Sequence, residues 1–464
     1  MLRLFEKEIK VHVIKDHKDL LPYLANAIQD NLTQNESSVR FVVSETDEKF
    51  YHCEIGILSS DAGTSIKAEN DIFRFVSRKI ENSDKFNVVL IVPTGIGAEI
   101  GGHDGDAAPV ARLLAESCDI LITHPNVVNA SDINEIPENG LYVEGSVLSR
   151  LLMGSIGLQP TRSNRILLLI DSHEDKTFIE AAINTLNAAR ATYGLRSSQV
   201  IIIDPPVNLT SKYSASGRAV GEVEQIDSII EALEKYKGEF DALALSSVIK
   251  VPYSFHSDYF EQGGDMVNPW GGIEAIFTHA ISLLYDIPSA HAPMYESKDV
   301  ANMEPGIVDP RMAAETISVT FLQSVLKGLK RSPRIITDRE AMNNNGVMTA
   351  SDISCLVIPD GCIGLPTLAA LEQGIKVIAV KENKNIMKND LSKLPWASDQ
   401  FYMAENYWEV SGILNAIKGG IDPKTVRRPL ESVEIQAEGS EISASVKSSD
   451  DRMKRKNKSI TEGS

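Results

Sequence analysis

Seven short apolar runs recur along this 464-residue chain, and they constrain its fold more than any other feature. They are Val88–Val92, Ile120–Thr123, Arg165–Ile170, Val200–Ile203, Ala242–Leu245, Cys355–Ile358 and Lys376–Val380. A strand buried on both faces reads as such a run, and strands of that kind belong to parallel sheets covered by helices. Helical stretches separate them. In one, Phe178, Ala182, Leu186 and Ala189 fall near one face and Gly194 supplies the stop. The order strand, loop, helix, strand predicts right-handed parallel crossovers. The expected fold class is therefore α/β, with parallel-sheet, Rossmann-like halves, a small α+β N-terminal lead-in and a disordered C-terminal tail.

The expected division is residues 1–80 for the lead-in, 81–240 for a first α/β unit, 241–430 for a second, and 431–464 for the tail. In the lead-in, Lys10–Ile14 and Val39–Val43 read as strands and Leu20–Leu32 as a helix. Further helices are expected over 222–236, from about Gly272 to Tyr285, over 366–373, and over 310–328, where Asp309 would cap and Pro310 open the helix. The tail is rich in Ser, Glu and Lys and has too few apolar side chains to bury a core. Its cluster Arg452, Lys454, Arg455, Lys456, Lys458 reads as solvated charge.

The net charge of −18 makes the chain a poor default partner for phosphate backbones or anionic membranes. A small-molecule ligand is the expected partner, with neither nucleic acid nor membrane, and a homo-oligomer is compatible with the composition. Cys53, Cys118, Cys355 and Cys362 form no C-x-x-C pair, so the usual zinc and redox spacings are absent. Met1–Lys7 has no signal-peptide apolar stretch, and no window reaches the length of a membrane span. A cytoplasmic setting is expected.

Three glycine-rich loops follow buried strands. The first, Pro93–Asp106, holds Gly95, Gly97, Gly101, Gly102 and Gly105 beside His103, Asp104 and Asp106. Glycines allow close backbone approach, and ligands of open parallel sheets bind beyond the carboxyl ends of the strands. Gly95-x-Gly97-x-x-x-Gly101 departs from the dinucleotide fingerprint by one residue, and no acidic residue closes the next strand, which ends Thr123-His124-Pro125. Imidazole and carboxylates together suit acid–base work, or a divalent metal on His103 and Asp106. Asp106 also reads simply as the cap of a helix starting at Ala107.

The second loop, Ser246–Gly272, carries Lys250, His256 and the anion-friendly pair Gly271-Gly272 at a helix start. His279, on that helix, reads as structural. The third, Asp360–Thr367, brings Gly361, Cys362 and Gly364 to another helix start. Arg311 is a candidate clamp for an anion. No G-x-S-x-G, P-loop or H-E-x-x-H motif is present.

Pro93–Asp106 with Ile122–Asn126, Asn268–Ala275 and Gly361–Leu371 resemble a family of uncharacterised bacterial proteins, a domain of unknown function, over roughly residues 80–425. The resemblance implies no activity.

The reading expected from the residues is an enzyme acting on a small, polar, anionic metabolite by acid–base chemistry, with or without a metal. His103, Asp104, His124 and His256 are the candidate catalytic groups. Gly95, Gly97, Gly101, Gly102, Lys250, Gly271, Gly272, Arg311, Gly361 and Gly364 are the candidate substrate-binding groups. Hydrolase or lyase chemistry fits better than hydride transfer, given the defective dinucleotide pattern. The alternatives are a nucleotide or nucleotide-sugar transferase and a non-catalytic ligand sensor.

Overall fold

A computed structural model describes residues 2–14, 19–61, 71–430 and 432–433. The chain divides into Met1–Asn415, which holds both large sheets, and Ala416–Ser464. In the second of these, the described residues contain the end of helix Tyr407–Lys418 and a short turn, Pro423–Val426. The expected disordered tail, 431–464, lies outside the described residues except for 432–433.

The fold is mixed α/β. One sheet runs in the order Phe401–Ala404, Lys376–Val380, Cys355–Pro359, Asn87–Leu90, Ile120–Thr123, Gly140–Tyr142, and every pairing is parallel. Every residue of Asn87–Leu90 and of Cys355–Pro359 is buried, which is why these segments read as unbroken apolar runs. Helices Ala108–Ala115 and Leu365–Gln373 connect parallel neighbours, as the sequence predicts.

The other sheet has ten strands and mixed direction. Arg196–Ile203, Arg165–Asp171, Ala242–Lys250 and Ser289–Met294 lie side by side in parallel. An antiparallel hairpin, Asn208–Tyr213 and Ala219–Glu224, continues the sheet, followed by Leu2–His12, Phe50–Ser60 and Glu36–Thr46. The first sixty residues thus supply three long strands of this sheet. Ile363 and Gly364, from the turn after Cys355–Pro359, pair with Val43 and Val42. That short pairing joins a loop of the first sheet to the edge of the second.

Three expected elements differ. Helix 222–236 is a strand, Ala219–Glu224, followed by helix Asp227–Lys235. Glu222 and Glu224 are exposed while Gly221 and Val223 are buried, a period of two that fits a hairpin. Helix 310–328 begins only at Leu322 and runs to Arg331. Asp309 accepts the Arg311 N–H at 2.9 Å as a cap would, but only a short turn, Ala313–Thr316, follows before the helix at Leu322, and its carboxylate also takes Nε and Nη2 of Arg311. Strand Ala242–Leu245 continues to Lys250, which is exposed at its end.

The contact that fixes the loops is at Ala219. Its N–H donates to the Gly95 carbonyl at 3.0 Å. A Cβ on Gly95 would stand 2.7 Å from the Ala219 carbonyl oxygen, and one on Gly272 only 1.9 Å from the same atom. The obstacle is backbone, so it does not rotate away. Gly271 differs, because its nearest neighbour would be the Thr94 Cγ2 at 3.3 Å. Gly272→Ala is therefore expected to lose about 1–3 kcal/mol, the usual effect of overpacking, whereas Gly271→Ala stays close to wild type. Thermal unfolding of the two variants checks the contrast.

Candidate active site

The carboxyl ends of both parallel arrays open on one cavity of about 290 Å³. The first sheet sends Thr94, His124, Glu144 and Gly364 to its wall, and the second sends His291 and Tyr295. His256 and Trp270 come from the long segment after Ala242–Lys250. All three glycine-rich loops are represented.

Its most unusual chemistry is a group of buried acids. Asp104 and Glu315 both line the cavity. The Asp104 backbone N–H donates to Glu315 Oε1 at 2.8 Å, and the Tyr259 hydroxyl donates to the same oxygen at 2.9 Å. The Tyr259 oxygen is 2.6 Å from His103 Nδ1 and accepts from Asn268 Nδ2 at 3.2 Å. Tyrosine has one proton, and Glu315 takes it, so His103 donates through Nδ1. Burial raises Asp104 well above the ordinary carboxyl range, and the neighbouring Glu315 raises it further. Burial likewise lifts Glu315 to about 7, against the Asp104 N–H and Tyr259, which pull it down. Asp106 is also pushed up to about 7 by burial. Two buried like charges disfavour double ionisation, so burial and the Glu315 charge act on Asp104 in the same direction, toward its protonated form.

A second polar group lies on the same wall. Glu144 caps helix Gly145–Leu152 through the N–H groups of Ser146 and Val147. Its Oε1 stands 2.5 Å from His279 Nδ1. Burial pushes Glu144 up, but His279 and Ser146 outweigh it and the net direction is down. His124 accepts the N–H of Val92 at Nε2, 3.2 Å away, and burial lowers it to about 4. His291 sits between Glu274, with Nδ1 to Oε1 at 3.1 Å, and Ser247, with Nε2 to Oγ at 2.7 Å.

Residues 87–427 match the family described as a protein of unknown function, DUF3326. The chain belongs to that family. Over 338 residues it is 34% identical to an uncharacterised lipoprotein of Synechococcus sp., covering 72% of this chain and 91% of that relative. No solved structure matches the chain. The DUF3326 region begins at strand Asn87–Leu90, so the strands before residue 61 lie outside it.

Within this DUF3326 chain the expected site residues separate into two groups. Asp104, His124, His256, Gly95, Gly102, Gly271 and Gly364 stand on the cavity wall. His103 is one step back, held by Tyr259, and burial lowers it to about 4. Gly97, Gly101, Gly272 and Gly361 are not on the wall; a Cβ on Gly101 would meet Val92 at 2.7 Å and one on Gly97 would meet Val267 at 2.9 Å. Lys250 is exposed at its strand end. Arg311 is engaged by Asp309 and Glu99. Asp106 does not cap its helix, since its Oδ1 accepts from Gly101 N at 2.7 Å. Among the described residues no three His, Cys, Asp or Glu side chains gather as a metal ion would require, so His103 and Asp106 have no third partner of that kind.

Sequence reasoning does not single out Glu315, Tyr259, Arg40 or Arg218 as site residues, and it reads His279 as structural. Their partners are far away in the chain, and no local spacing marks them. The one available signal was the length of the irregular stretch that carries Tyr259; Glu315 falls inside 310–328, which reads as helix.

The raised acids tie stability to pH. A carboxyl whose folded pKa lies above its unfolded value favours the protonated form, so its contribution is full below about pH 4 and is lost as pH rises through the folded value. For Glu315 that window closes near 7. Glu315→Gln keeps an oxygen for Asp104 N–H and Tyr259 but cannot ionise. Its thermal midpoint is expected to match wild type near pH 5 and to exceed it at pH 8. A variant equally destabilised at both pH values would contradict this.

Proposed function

We propose that the protein is an enzyme that acts on a small, polar, anionic metabolite by acid–base chemistry of the hydrolase or lyase type. The observation that carries this reading is the pair of buried acids, Asp104 and Glu315, on the wall of the cavity. A pair that holds one proton offers a carboxylate as general base and a carboxylic acid as general acid in the same place. Tyr259 fixes the orientation of Glu315, and His103, neutral because it is buried, fixes Tyr259. Protons are thus held at stated atoms and the acids do not turn away from the cavity. A volume of about 290 Å³ suits a small metabolite, and Arg218 on the wall, with two nitrogens unpartnered among the described residues, favours an anionic group.

We read the two parallel arrays as Rossmann-like halves whose strand ends share this crevice. Such strand ends are the usual place for ligands in α/β proteins. The setting we propose is cytoplasmic, in keeping with four free, buried cysteines. A lipid-anchored setting is the second reading, favoured by the description of the Synechococcus relative as a lipoprotein. Membrane fractionation of cells making the full-length protein separates the two.

The activity test is incubation of the purified protein with a small-metabolite extract, followed by mass spectrometry. Wild type is expected to deplete at least one anionic compound. Asp104→Asn and Glu315→Gln should each slow that depletion by roughly 10²-fold or more, the scale of a lost general acid or base. A compound that binds wild type and Asp104→Asn equally, with no turnover by either, would establish a sensor instead.

A further inference from the structure

Arg218 is fully buried, with 0% of its side chain exposed, and lies on the cavity wall. It sits at the end of the turn that joins strands Asn208–Tyr213 and Ala219–Glu224. Its Nη1 donates to Glu54 Oε2 at 2.5 Å. Glu54 is otherwise taken up by the hydroxyls of Ser214 and Ser216 on Oε1. Among the described residues, Nε and Nη2 of Arg218 have no hydrogen-bond partner.

Those two nitrogens are adjacent and point the same way, so together they form the side-on fork of the guanidinium. The same fork is filled elsewhere in this chain. Arg165 offers Nε and Nη2 to the two oxygens of Asp241, both at 3.0 Å. Arg311 offers them to the two oxygens of Asp309, at 3.0 and 3.2 Å. Both of those pairs are internal and partly open to solvent. At Arg218 the fork is buried and no internal carboxylate completes it. Leaving charged donors buried without acceptors is strongly unfavourable, which makes this fork a place for two acceptor oxygens.

Its surroundings agree. Helix Leu365–Gln373 starts at the cavity with no side-chain cap at Gly364; Pro366 has no N–H, so the N–H groups of Leu365 and Thr367 are the ones its first turn offers an anion. Arg40 also lines the cavity, and burial together with the charge of Arg218 lowers it to about 10. Arg40 is already occupied, donating to the carbonyls of Thr94 and Gly272. It also lies 3.6 Å from Glu6 Oε1, so it does not compete for the ligand.

We propose that Arg218 is the anion subsite of this cavity, taking a carboxylate or phosphoryl group of the substrate side-on through Nε and Nη2. This rests on the reading of the cavity as an active site, and it replaces Lys250 and Arg311 as the groups that hold the substrate's charge.

The test is thermal unfolding and calorimetric titration with inorganic phosphate and with acetate, ionic strength held constant with chloride. Wild type is expected to be stabilised by one or both probes, and the stronger probe names the group. Arg218→Lys keeps a cation for Glu54 but has no fork, and should bind that probe about tenfold or more weakly, the loss of one charge-assisted contact. Arg165→Ala, which removes a fork already filled by Asp241, should bind it like wild type. Should Arg218→Lys fold poorly, the double variant Glu54→Gln/Arg218→Gln removes the charge pair together and is expected to show the same loss. Equal binding by wild type and either Arg218 variant, or no binding of either probe by wild type, overturns the subsite. Turnover of a metabolite that Arg218→Lys leaves unchanged would also overturn it while keeping the enzyme. Loss of phosphate or acetate binding in Arg218→Lys without turnover by wild type would keep the subsite and overturn the enzyme.

Discussion

One peptide, at Ala219, sets the geometry of everything around the cavity. Its N–H holds the Gly95 carbonyl, and its own carbonyl lies where any side chain on Gly95 or Gly272 would have to go. A hairpin of the mixed sheet, a loop of the parallel sheet and the start of helix Gly271–Tyr285 therefore meet at van der Waals contact. Arg40 reinforces the junction by donating to the carbonyls of Thr94 and Gly272. Because the contact is backbone against backbone, it positions the loops without depending on side-chain rotamers. The pairing of Ile363 and Gly364 with Glu36–Thr46 does the same for the third loop.

With the loops fixed, the cavity can carry an unusual burden of buried charge. At Asp104 and Glu315 burial favours the protonated form. Arg218 is relieved at one end by Glu54. Glu144 is relieved by His279 and by the start of its own helix. Each solution differs, and each leaves a chemically distinct group on the wall: an acid–base pair, a guanidinium fork and a carboxylate–imidazole pair. Removing one partner of the Arg218–Glu54 or the Glu144–His279 pair strands a buried charge, which is strongly destabilising. That is why conservative replacements such as Glu315→Gln and Arg218→Lys are more informative than truncations to alanine.

Much of this was legible in the sequence because of what burial does to composition. Strands covered on both faces must be apolar throughout, so Val88–Val92 and Cys355–Ile358 announce themselves. The glycine-rich loops need glycine where backbones touch; those after Val88–Val92 and Ala242–Leu245 carry Asp104 and His256 to the wall, and His124 reaches it from the end of strand Ile120–Thr123. The glycines themselves were harder to interpret. Gly272 and Gly101 look like ligand contacts in sequence, yet close packing against Ala219 and Val92 accounts for them. The remainder was hidden because it depends on partners distant in the chain. Glu315 lies in a stretch that reads as helix until Asp309 is seen gripping Arg311. Arg218 has its meaning only once Glu54, on a strand outside the DUF3326 region, is placed beside it. The hairpin that carries Arg218 is long-range structure, and a charged, partly helical-looking segment gives no local sign of it.

The central claim is that Asp104 and Glu315 share a proton at neutral pH. Carbon-13 NMR of protein labelled at the carboxyl carbons of Asp and Glu measures this, with Asp104→Asn and Glu315→Gln used to assign the two signals. At pH 7 the pair is expected still to show protonated carboxyl character, and removal of either acid is expected to lower the pKa of the other. Two signals at the fully ionised position from pH 5 upward, each unmoved by loss of its neighbour, would contradict it.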